Sequence, residues 1–171
     1  QGAALEAELK KAEGLKKVPL TSRETGDLIM MGIGGFTPLT GFMGEADWKG
    51  VCESMTMAGG GFWPIPITLS CERALADTIH VEDKVALADG DSGDILATME
   101  VTEKYSPDKF LECSQVYRTT DTDHPGVAKV MAQGEINLGG RVTCLSQGEY
   151  PQKYPELYIR PAEARAMFLE N

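Results

Sequence analysis

A glycine-rich segment at residues 32–43 most constrains how this chain can fold. It has four glycines in its first ten residues, interspersed with Phe36 and Leu39 and followed by Phe42. Glycine permits positive φ angles and close backbone approach, whereas large apolar side chains need to be covered. A segment with both properties is typical of a compact, specified loop. We therefore expect Phe36, Leu39 and Phe42 to pack beneath this loop, and at least one of its glycines to have a positive φ.

Length and composition predict one soluble domain. The chain has 171 residues, of which 42% are hydrophobic and 25% are charged, enough to bury a single core. No stretch approaches the ~18 consecutive apolar residues of a membrane span, and residues 1–6 lack the pattern of a signal peptide. The first residue is Gln1, and the last helical pattern runs to Asn171 without a stop. We therefore expect a chain that begins inside a longer gene product and has an artificial C-terminal boundary.

The net charge of −10 bears on the class of partner. Phosphate contacts dominate nucleic-acid affinity, and an acidic surface repels a polyanion. The sequence therefore disfavours a nucleic-acid partner.

Four cysteines, Cys52, Cys71, Cys113 and Cys144, lie far apart and form no C-x-x-C pair. Zinc sites usually show close ligand spacing, and the chain has only two histidines to supplement them. We therefore expect buried free thiols in a reducing cytoplasm, and no metal site.

Hydrophobic periodicity divides the chain into helices and strands. A capping box at Thr21–Glu24 begins the second helix. The third helix is expected to bury a face that includes Met55, and the helix after Ser106-Pro107 a face that includes Phe110. We predict helices at 4–14, 21–32 and 44–56 and after Pro107, Pro125 and Pro161, and strands at 65–71, 85–88, 95–101 and 141–146. This order predicts an α+β fold: a small, mostly antiparallel barrel or sheet with flanking helices.

Familiar catalytic motifs are absent from the sequence. There is no G-x-x-x-x-G-K-[ST] phosphate loop, no dinucleotide-binding glycine spacing, no G-x-S-x-G elbow and no H-E-x-x-H pair. With two histidines in the chain, acid–base or metal chemistry based on histidine has few candidates.

The densest polar segment lies at residues 116–127. Asp121, Asp123 and His124 can be interpreted as cation ligands, or Arg118 and His124 as anion ligands. The same residue types also form turns and helix caps, and Pro125 is suited to the first turn of a helix. We favour the structural interpretation, in which Asp123 or His124 caps the following helix, and leave the roles of Arg118 and His124 open.

Two adjacent aromatic residues, Phe62 and Trp63, precede Pro64. They can form a base-stacking platform, or they can pack in a core or between domains. We favour packing, since the chain lacks the basic stripe that accompanies stacking platforms.

Five segments, in order along the chain, resemble ATP sulfurylase (sulfate adenylyltransferase). They correspond to its G-x-F-[ST]-P-L-x-G-F-M, W-P-[IV]-P-[IV], V-Y-x-T-T-D-x-x-H-P-x-V, G-G-x-[VI] and Y…P-x-E-x-R patterns. In this sequence they lie at 31–43, 62–67, 116–127, 138–142 and 154–165. The resemblance covers residues 20–170 and is most like enzymes of dissimilatory prokaryotes.

The resemblance implies a PUA-like N-terminal domain at residues 20–171, preceded by a charged helical extension at 1–19. The family's Q-T-R-N-P-x-H-R-x-H and G-R-D motifs, which belong to its catalytic domain, do not occur here. We therefore assign no catalytic, cofactor-binding or metal residue to this chain and expect it to be inactive alone.

The parent enzyme implied by the resemblance is a cytoplasmic nucleotidyltransferase of sulfur metabolism and sulfate assimilation. It interconverts Mg-ATP and sulfate with adenylyl sulfate and pyrophosphate. Its implied partners are the catalytic domain of the same chain and further copies in a homo-oligomer, with no nucleic acid and no membrane. The alternative is a free-standing PUA-like RNA-binding module, which the acidic charge disfavours.

The last helix is expected to expose Ala164, Met167 and Phe168 on one face. We predict that this face packs against the catalytic domain, and that without it the helix frays or is covered by another copy.

Overall fold

The computed structural model describes residues 2–170. Its helices are α1 (Gly2–Glu13), α2 (Ser22–Gly32), α3 (Glu45–Ser54), α4 (Arg73–Ala76), α5 (Lys109–Glu112), α6 (Pro125–Met131), α7 (Tyr150–Lys153) and α8 (Pro161–Glu170). Its strands are β1 (Lys17–Leu20), β2 (Gly41–Phe42), β3 (Ser70–Cys71), β4 (Lys84–Asp89), β5 (Ile95–Tyr105) and β6 (Ile136–Cys144). The six strands form one sheet in the order β1-β4-β5-β6-β2, and β3 pairs with β6. The predicted α+β class is confirmed.

The described residues divide into two compact units, of which the first comprises 2–41, 84–99 and 142–170. Here β1 runs parallel to β4, with Lys17 opposite Ala86 and Leu20 opposite Asp89. Val18 and Leu20 are buried. The sequence analysis missed β1, because Pro19 and the flanking lysines interrupt its apolar pattern. This strand spans the boundary that was predicted between the N-terminal extension at 1–19 and the domain at 20–171. The position of that boundary stays a prediction.

The predicted capping box at the start of α2 is confirmed. The Thr21 hydroxyl accepts a hydrogen bond from the Glu24 backbone N–H at 3.3 Å, and the Glu24 carboxylate accepts one from the Thr21 N–H at 2.8 Å. Glu24 is 1% exposed, so this reciprocal bonding satisfies a buried carboxylate. It fixes where α2 begins and turns Leu28 towards the core.

One helical turn further along α2, Asp27 is poorly solvated. Its Oδ2 accepts a hydrogen bond from Arg23 Nη1 at 3.1 Å. Burial, reinforced by the charge of Glu24 and opposed by Arg23, raises the pKa of Asp27 to about 6. Since the unfolded value is near 3.8, the folded state holds its proton more tightly, and stability falls as pH rises from about 4 to about 6.

We expect the free energy of unfolding of Asp27→Asn, compared with that of the native chain, to rise by about 1–2 kcal/mol between pH 4 and pH 7. This figure allows for the partial exposure of Asp27. The reason is that asparagine cannot ionise and so carries no burial cost for a charge. Urea denaturation at a series of pH values measures the difference. Asp91→Asn, at an exposed position, is the control and is expected to show no such trend. A difference in unfolding free energy between Asp27→Asn and the native chain that does not change with pH would contradict the expectation.

The turn between β4 and β5 has the predicted hairpin chemistry. Asp89 Oδ1 accepts hydrogen bonds from the N–H groups of Asp91 and Ser92 at 3.1 and 2.9 Å. Gly93 takes a positive φ of 77°, which glycine tolerates without strain. The predicted hairpin is confirmed, and β5 continues four residues beyond the predicted end at Val101.

The glycine-rich segment forms a compact loop that leads into β2. Gly34 has a φ of 81°, as predicted for at least one glycine here. Phe42 is 3% exposed, whereas Phe36 and Leu39 are half-buried. The prediction of an apolar underside is thus confirmed in full for Phe42 and in part for the other two.

The second unit comprises residues 42–83 and 100–141. One of its core clusters joins Trp48, Cys52 and Tyr105, against which Leu111 and Val116 pack. A second cluster is centred on the buried side chains Cys113, Val127 and Val130. Helices α3 and α6 therefore each bury an apolar face in the second unit.

Two predicted helical faces were wrong at one residue each. Met55 ends α3 in the left-handed conformation, with φ 52°, and is 44% exposed because the chain has left the helical path. Phe110 is 67% exposed, since α5 passes into a π-helical turn at Cys113–Tyr117 that changes the angular spacing of side chains. The helix is also capped by Asp108, not by Ser106-Pro107: the Asp108 carboxylate accepts from Leu111 N–H at 2.9 Å.

Two predicted strands have different bounds. Only Ser70–Cys71 of the expected strand at 65–71 forms ladder pairs, opposite Asn137 and Ile136 of β6. Pro64 and Pro66 lack the N–H groups that a ladder needs, and residues 66–71 are buried without alternation. In contrast, β6 begins five residues before the predicted start at Arg141 and runs through Gly139 and Gly140.

None of the helices in residues 2–170 is long and apolar enough to span a membrane.

Candidate functional site

The polar segment at residues 118–124 is held together by local hydrogen bonds. Asp121 accepts from the Asp123 N–H at 3.0 Å, and its own N–H donates to Thr119 Oγ1 at 3.1 Å. Arg118 has a positive φ of 58° and donates from Nη1 to Gln115 Oε1 at 3.3 Å. Asp121, Asp123 and Arg118 are all exposed. The segment therefore has the turn geometry that the structural interpretation requires.

His124 is the N-cap of α6, as that interpretation allowed. Its Nδ1 accepts hydrogen bonds from the N–H groups of Gly126 and Val127 at 3.2 and 3.4 Å. The lone pair of Nδ1 is thus engaged, which leaves the proton of the neutral ring on Nε2. The imidazole also lies against Tyr117, with ring centroids 5.1 Å apart. These contacts assign His124 a capping role.

The four cysteines are free thiols. Cys52, Cys71 and Cys113 are buried as predicted, whereas Cys144 is half-buried. Burial raises the pKa of Cys144, and burial together with the Glu112 carboxylate raises the pKa of Cys52 and Cys113. A raised pKa keeps a thiol protonated and a poor nucleophile.

No group of three or more His, Cys, Asp or Glu side chains in residues 2–170 is placed to hold a metal ion. The absence of catalytic, cofactor-binding and metal residues remains a prediction from the sequence.

A buried polar contact links α3 to α5 in the second unit. The indole Nε1–H of Trp48 donates to Glu112 Oε2 at 2.7 Å, and both side chains are at most 5% exposed. Beside them, the Tyr105 hydroxyl donates to the Met43 carbonyl at 3.1 Å and accepts from Asn137 Nδ2 at 3.3 Å. Burial raises the pKa of Tyr105, so it stays protonated. These groups stabilise the core.

Residues 55–63, which we call the Phe62 hairpin, form an ordered projection of the second unit. Trp63 N–H donates to the Met55 carbonyl at 2.8 Å, and Met57 N–H donates to the Gly61 carbonyl at 3.1 Å. Thr56 and Phe62 form an isolated antiparallel bridge. Phe62 is nevertheless 73% exposed, while Trp63 is half-buried. Of the two kinds of packing expected for this aromatic pair, packing in a core is wrong for Phe62 among the described residues, and packing between domains stays a prediction.

An open cavity of about 560 Å³ lies in the first unit. We call it the α1–α2 cavity, because Leu5 of α1 and Ile29 and Gly32 of α2 form part of its wall. The rest of the wall comes from residue 33 and from residues 144–148, 151 and 152. A Cβ atom on Gly32 would lie 2.9 Å from the Cys144 sulfur, so this glycine makes room for the thiol. Sequence patterns did not indicate this cavity.

The C-terminal residues expose many large apolar side chains. No residue of α8 is buried, and Phe168 and Leu169 are 80% and 88% exposed. The same holds for Leu157, at 80%. The predicted exposure is confirmed for Met167 and Phe168, whereas Ala164 is half-buried. Of the two alternatives predicted for this helix, fraying is wrong, since α8 is helical through Glu170, and covering by another copy stays a prediction.

A sequence model of the PUA-like domain matches residues 1–147. The chain belongs to the PUA-like domain family. The expectation drawn from the five sequence segments is thus confirmed for the fold. The match ends before α7 and α8, so the exposed apolar side chains of residues 150–169 lie outside the part that the PUA-like model covers.

Curated relatives match the PUA-like chain over nearly all of its length. It is 60% identical over 172 residues to the sulfate adenylyltransferase of Syntrophobacter fumaroxidans, covering 100% of this chain and 42% of that protein. It is 55% identical to the enzyme of that name from Chlorobaculum tepidum, covering 99% of this chain and 42% of the relative. The chain corresponds to the N-terminal region of these relatives and spans less than half of their length.

A solved structure shares the fold. The hexameric APS kinase from Thiobacillus denitrificans has a TM-score of 0.71 and 28% sequence identity to the PUA-like chain, covering 99% of this chain and 29% of that protein. Nothing in these comparisons favours the RNA-binding alternative.

Proposed function

We propose that this PUA-like chain is the N-terminal, non-catalytic part of a sulfate adenylyltransferase. The observation that carries the proposal is the 60% identity over the whole chain to a relative of that name. The proposed reaction of the whole protein joins the α-phosphate of ATP to sulfate, giving adenylyl sulfate and pyrophosphate, or runs in reverse. We place it in the sulfur metabolism of the cytoplasm of a dissimilatory prokaryote.

The chemistry of the described residues supports a non-catalytic role. The thiols of Cys52, Cys71 and Cys113 are buried. The pKa is raised for the thiols of Cys52, Cys113 and Cys144. His124 is engaged as a helix cap. Since the carboxylates of residues 2–170 form no metal-holding group, we assign the binding of Mg-ATP to the part of the protein beyond this chain.

The C-terminal apolar surface supports the proposal of a catalytic domain as partner. Leu157, Phe168 and Leu169 are each at least 80% exposed. Exposed apolar patches of more than a few hundred Å² are unusual on free monomers and mark interfaces. We propose that the remainder of the same protein covers these side chains, and that the whole protein is a homo-oligomer, as the solved APS kinase is by its name.

Activity assays of two polypeptides test this function. The full-length protein is expected to form ATP from adenylyl sulfate and pyrophosphate in a luciferase-coupled assay, and residues 1–171 alone are expected to give only background. Calorimetric titration of the 171-residue chain with millimolar Mg-ATP is expected to show no saturable heat. Turnover by the isolated chain would refute its non-catalytic role, whereas an inactive full-length protein would refute the proposed reaction.

A further inference from the structure

Gln147 is the last residue that the PUA-like model matches, and its two neighbours hold it in place. The Ser146 N–H donates to the Leu96 carbonyl of β5 at 3.0 Å. Gly148 has a φ of 69° and lies against α2, where an added Cβ atom would be 2.8 Å from Ile29 Cδ1. The backbone at Gln147 is therefore fixed both to the sheet and to α2.

The Gln147 side chain reaches the segment that leads into α8. Its Oε1 accepts one hydrogen bond from the Tyr158 hydroxyl at 3.4 Å and another from Arg160 Nη2 at 3.1 Å. The second bond has a charged donor, and such bonds are stronger than neutral ones. One amide oxygen thus joins the end of the PUA-like match to residues 11 and 13 positions further along the chain.

Arg160 also belongs to the first turn of α8 through its backbone. Its N–H donates to Glu163 Oε2 at 2.9 Å, and its carbonyl accepts from the Ala164 N–H at 2.9 Å. A Glu side chain that bonds back to the N–H three residues earlier forms half of a capping box and fixes where a helix begins. The start of α8 is therefore joined through one arginine to Gln147.

The rest of α8 has little packing within residues 2–170. None of its residues is buried, and Phe168 and Leu169 are at least 80% exposed. Most helices in proteins are held by the packing of an apolar face. Because α8 has no buried face in this part of the protein, the polar contacts at its start largely determine its direction.

We propose that Gln147 is a positioning residue, which sets the direction in which α8 leaves the PUA-like domain. This inference rests on the proposed function, in which a catalytic part follows α8, since the sulfate adenylyltransferase relatives are much longer than this chain. Gln147 then acts through Arg160 on the placement of that part. A fixed α8 also presents Phe168 and Leu169 in one orientation, which lowers the entropy lost when they are covered.

Distances within the full-length protein test this role. Nitroxide labels are attached to ketone-bearing residues introduced at the exposed positions 91 and 170. Labelled protein is diluted with unlabelled protein, so that pulsed electron paramagnetic resonance measures pairs within one copy. The native chain and Gln147→Glu, whose carboxylate accepts the same bonds, are expected to give one narrow distance distribution. Gln147→Met, which has no side-chain oxygen, is expected to give a distribution about twice as wide or wider, because both bonds are lost.

Two further variants complete the test. Arg160→Met removes the donor instead of the acceptor and is expected to widen the distribution as Gln147→Met does. Gln152→Met is the matched control, because Gln152 lines the same cavity but takes no part in the bonds to Tyr158 and Arg160. A narrow distribution for Gln147→Met, a wide one for Gln147→Glu or equal widening by Gln152→Met would overturn the proposal. The distances require no turnover, so they test Gln147 even if the full-length protein fails the activity assay of the proposed function.

Discussion

Replacing Gly134 with alanine is expected to destabilise the fold by about 3 kcal/mol, because the added methyl group has no space. A Cβ atom at Gly134 would overlap the carbonyl carbon and oxygen of Cys71 and would lie 2.8 Å from its nitrogen. These are backbone atoms of β3, which pairs with β6 at Ile136. The backbone cannot yield as a side-chain end can, so relief requires the β3–β6 pairing to shift.

Urea denaturation followed by circular dichroism measures this effect. Gly59→Ala is the matched control, since a Cβ atom there meets nothing within 4 Å, and it is expected to change stability by less than about 1 kcal/mol. Equal midpoints for the two variants would contradict the close approach of Gly134 to Cys71.

Trp48→Phe is expected to cost about 2–4 kcal/mol, because it removes the indole donor from a buried carboxylate. Trp48 Nε1 lies 2.7 Å from Glu112 Oε2, and both residues are buried. The smaller ring also leaves space beside Cys52 and Tyr105, which adds a packing loss.

A double-mutant cycle with Glu112→Gln separates the two contributions. Trp48→Phe loses the same packing in the native chain and in the Glu112→Gln variant. It loses a hydrogen bond to a charged acceptor only in the native chain. Trp48→Phe is therefore expected to cost about 1–2 kcal/mol less in the Glu112→Gln background. Additive effects would show that the Trp48–Glu112 bond contributes little to stability.

Local chemistry made some elements predictable from the sequence. The Thr21–Glu24 capping box and the His124 cap depend on side chains bonding to backbone two or three residues away. In the turn before β5, the Asp89 carboxylate likewise bonds to backbone N–H groups two and three residues away, and Gly93 supplies the positive φ. Such features are encoded within one turn of chain, so a short stretch of sequence is sufficient to identify them.

Other predictions failed where the chain departs from regular geometry. Periodicity placed Met55 and Phe110 in the core, but a left-handed residue and a π-helical turn changed the direction of the chain. The α1–α2 cavity could not be predicted, because Leu5, Ile29 and Gln147 reach it from distant parts of the sequence. A short sequence pattern does not predict which distant segments of the chain pack together in the fold.

The burial of Trp48 has a spectroscopic consequence, since the chain contains only two tryptophans. Trp48 is 3% exposed, whereas Trp63 is half-buried at the end of the Phe62 hairpin. Because of this difference in exposure, we expect acrylamide to quench the emission of Trp63 and not that of Trp48 in the native state. Intrinsic fluorescence therefore reports two events separately. Unfolding of the core quenches or shifts the emission of Trp48, whereas covering of the Phe62 hairpin protects the emission of Trp63 from acrylamide.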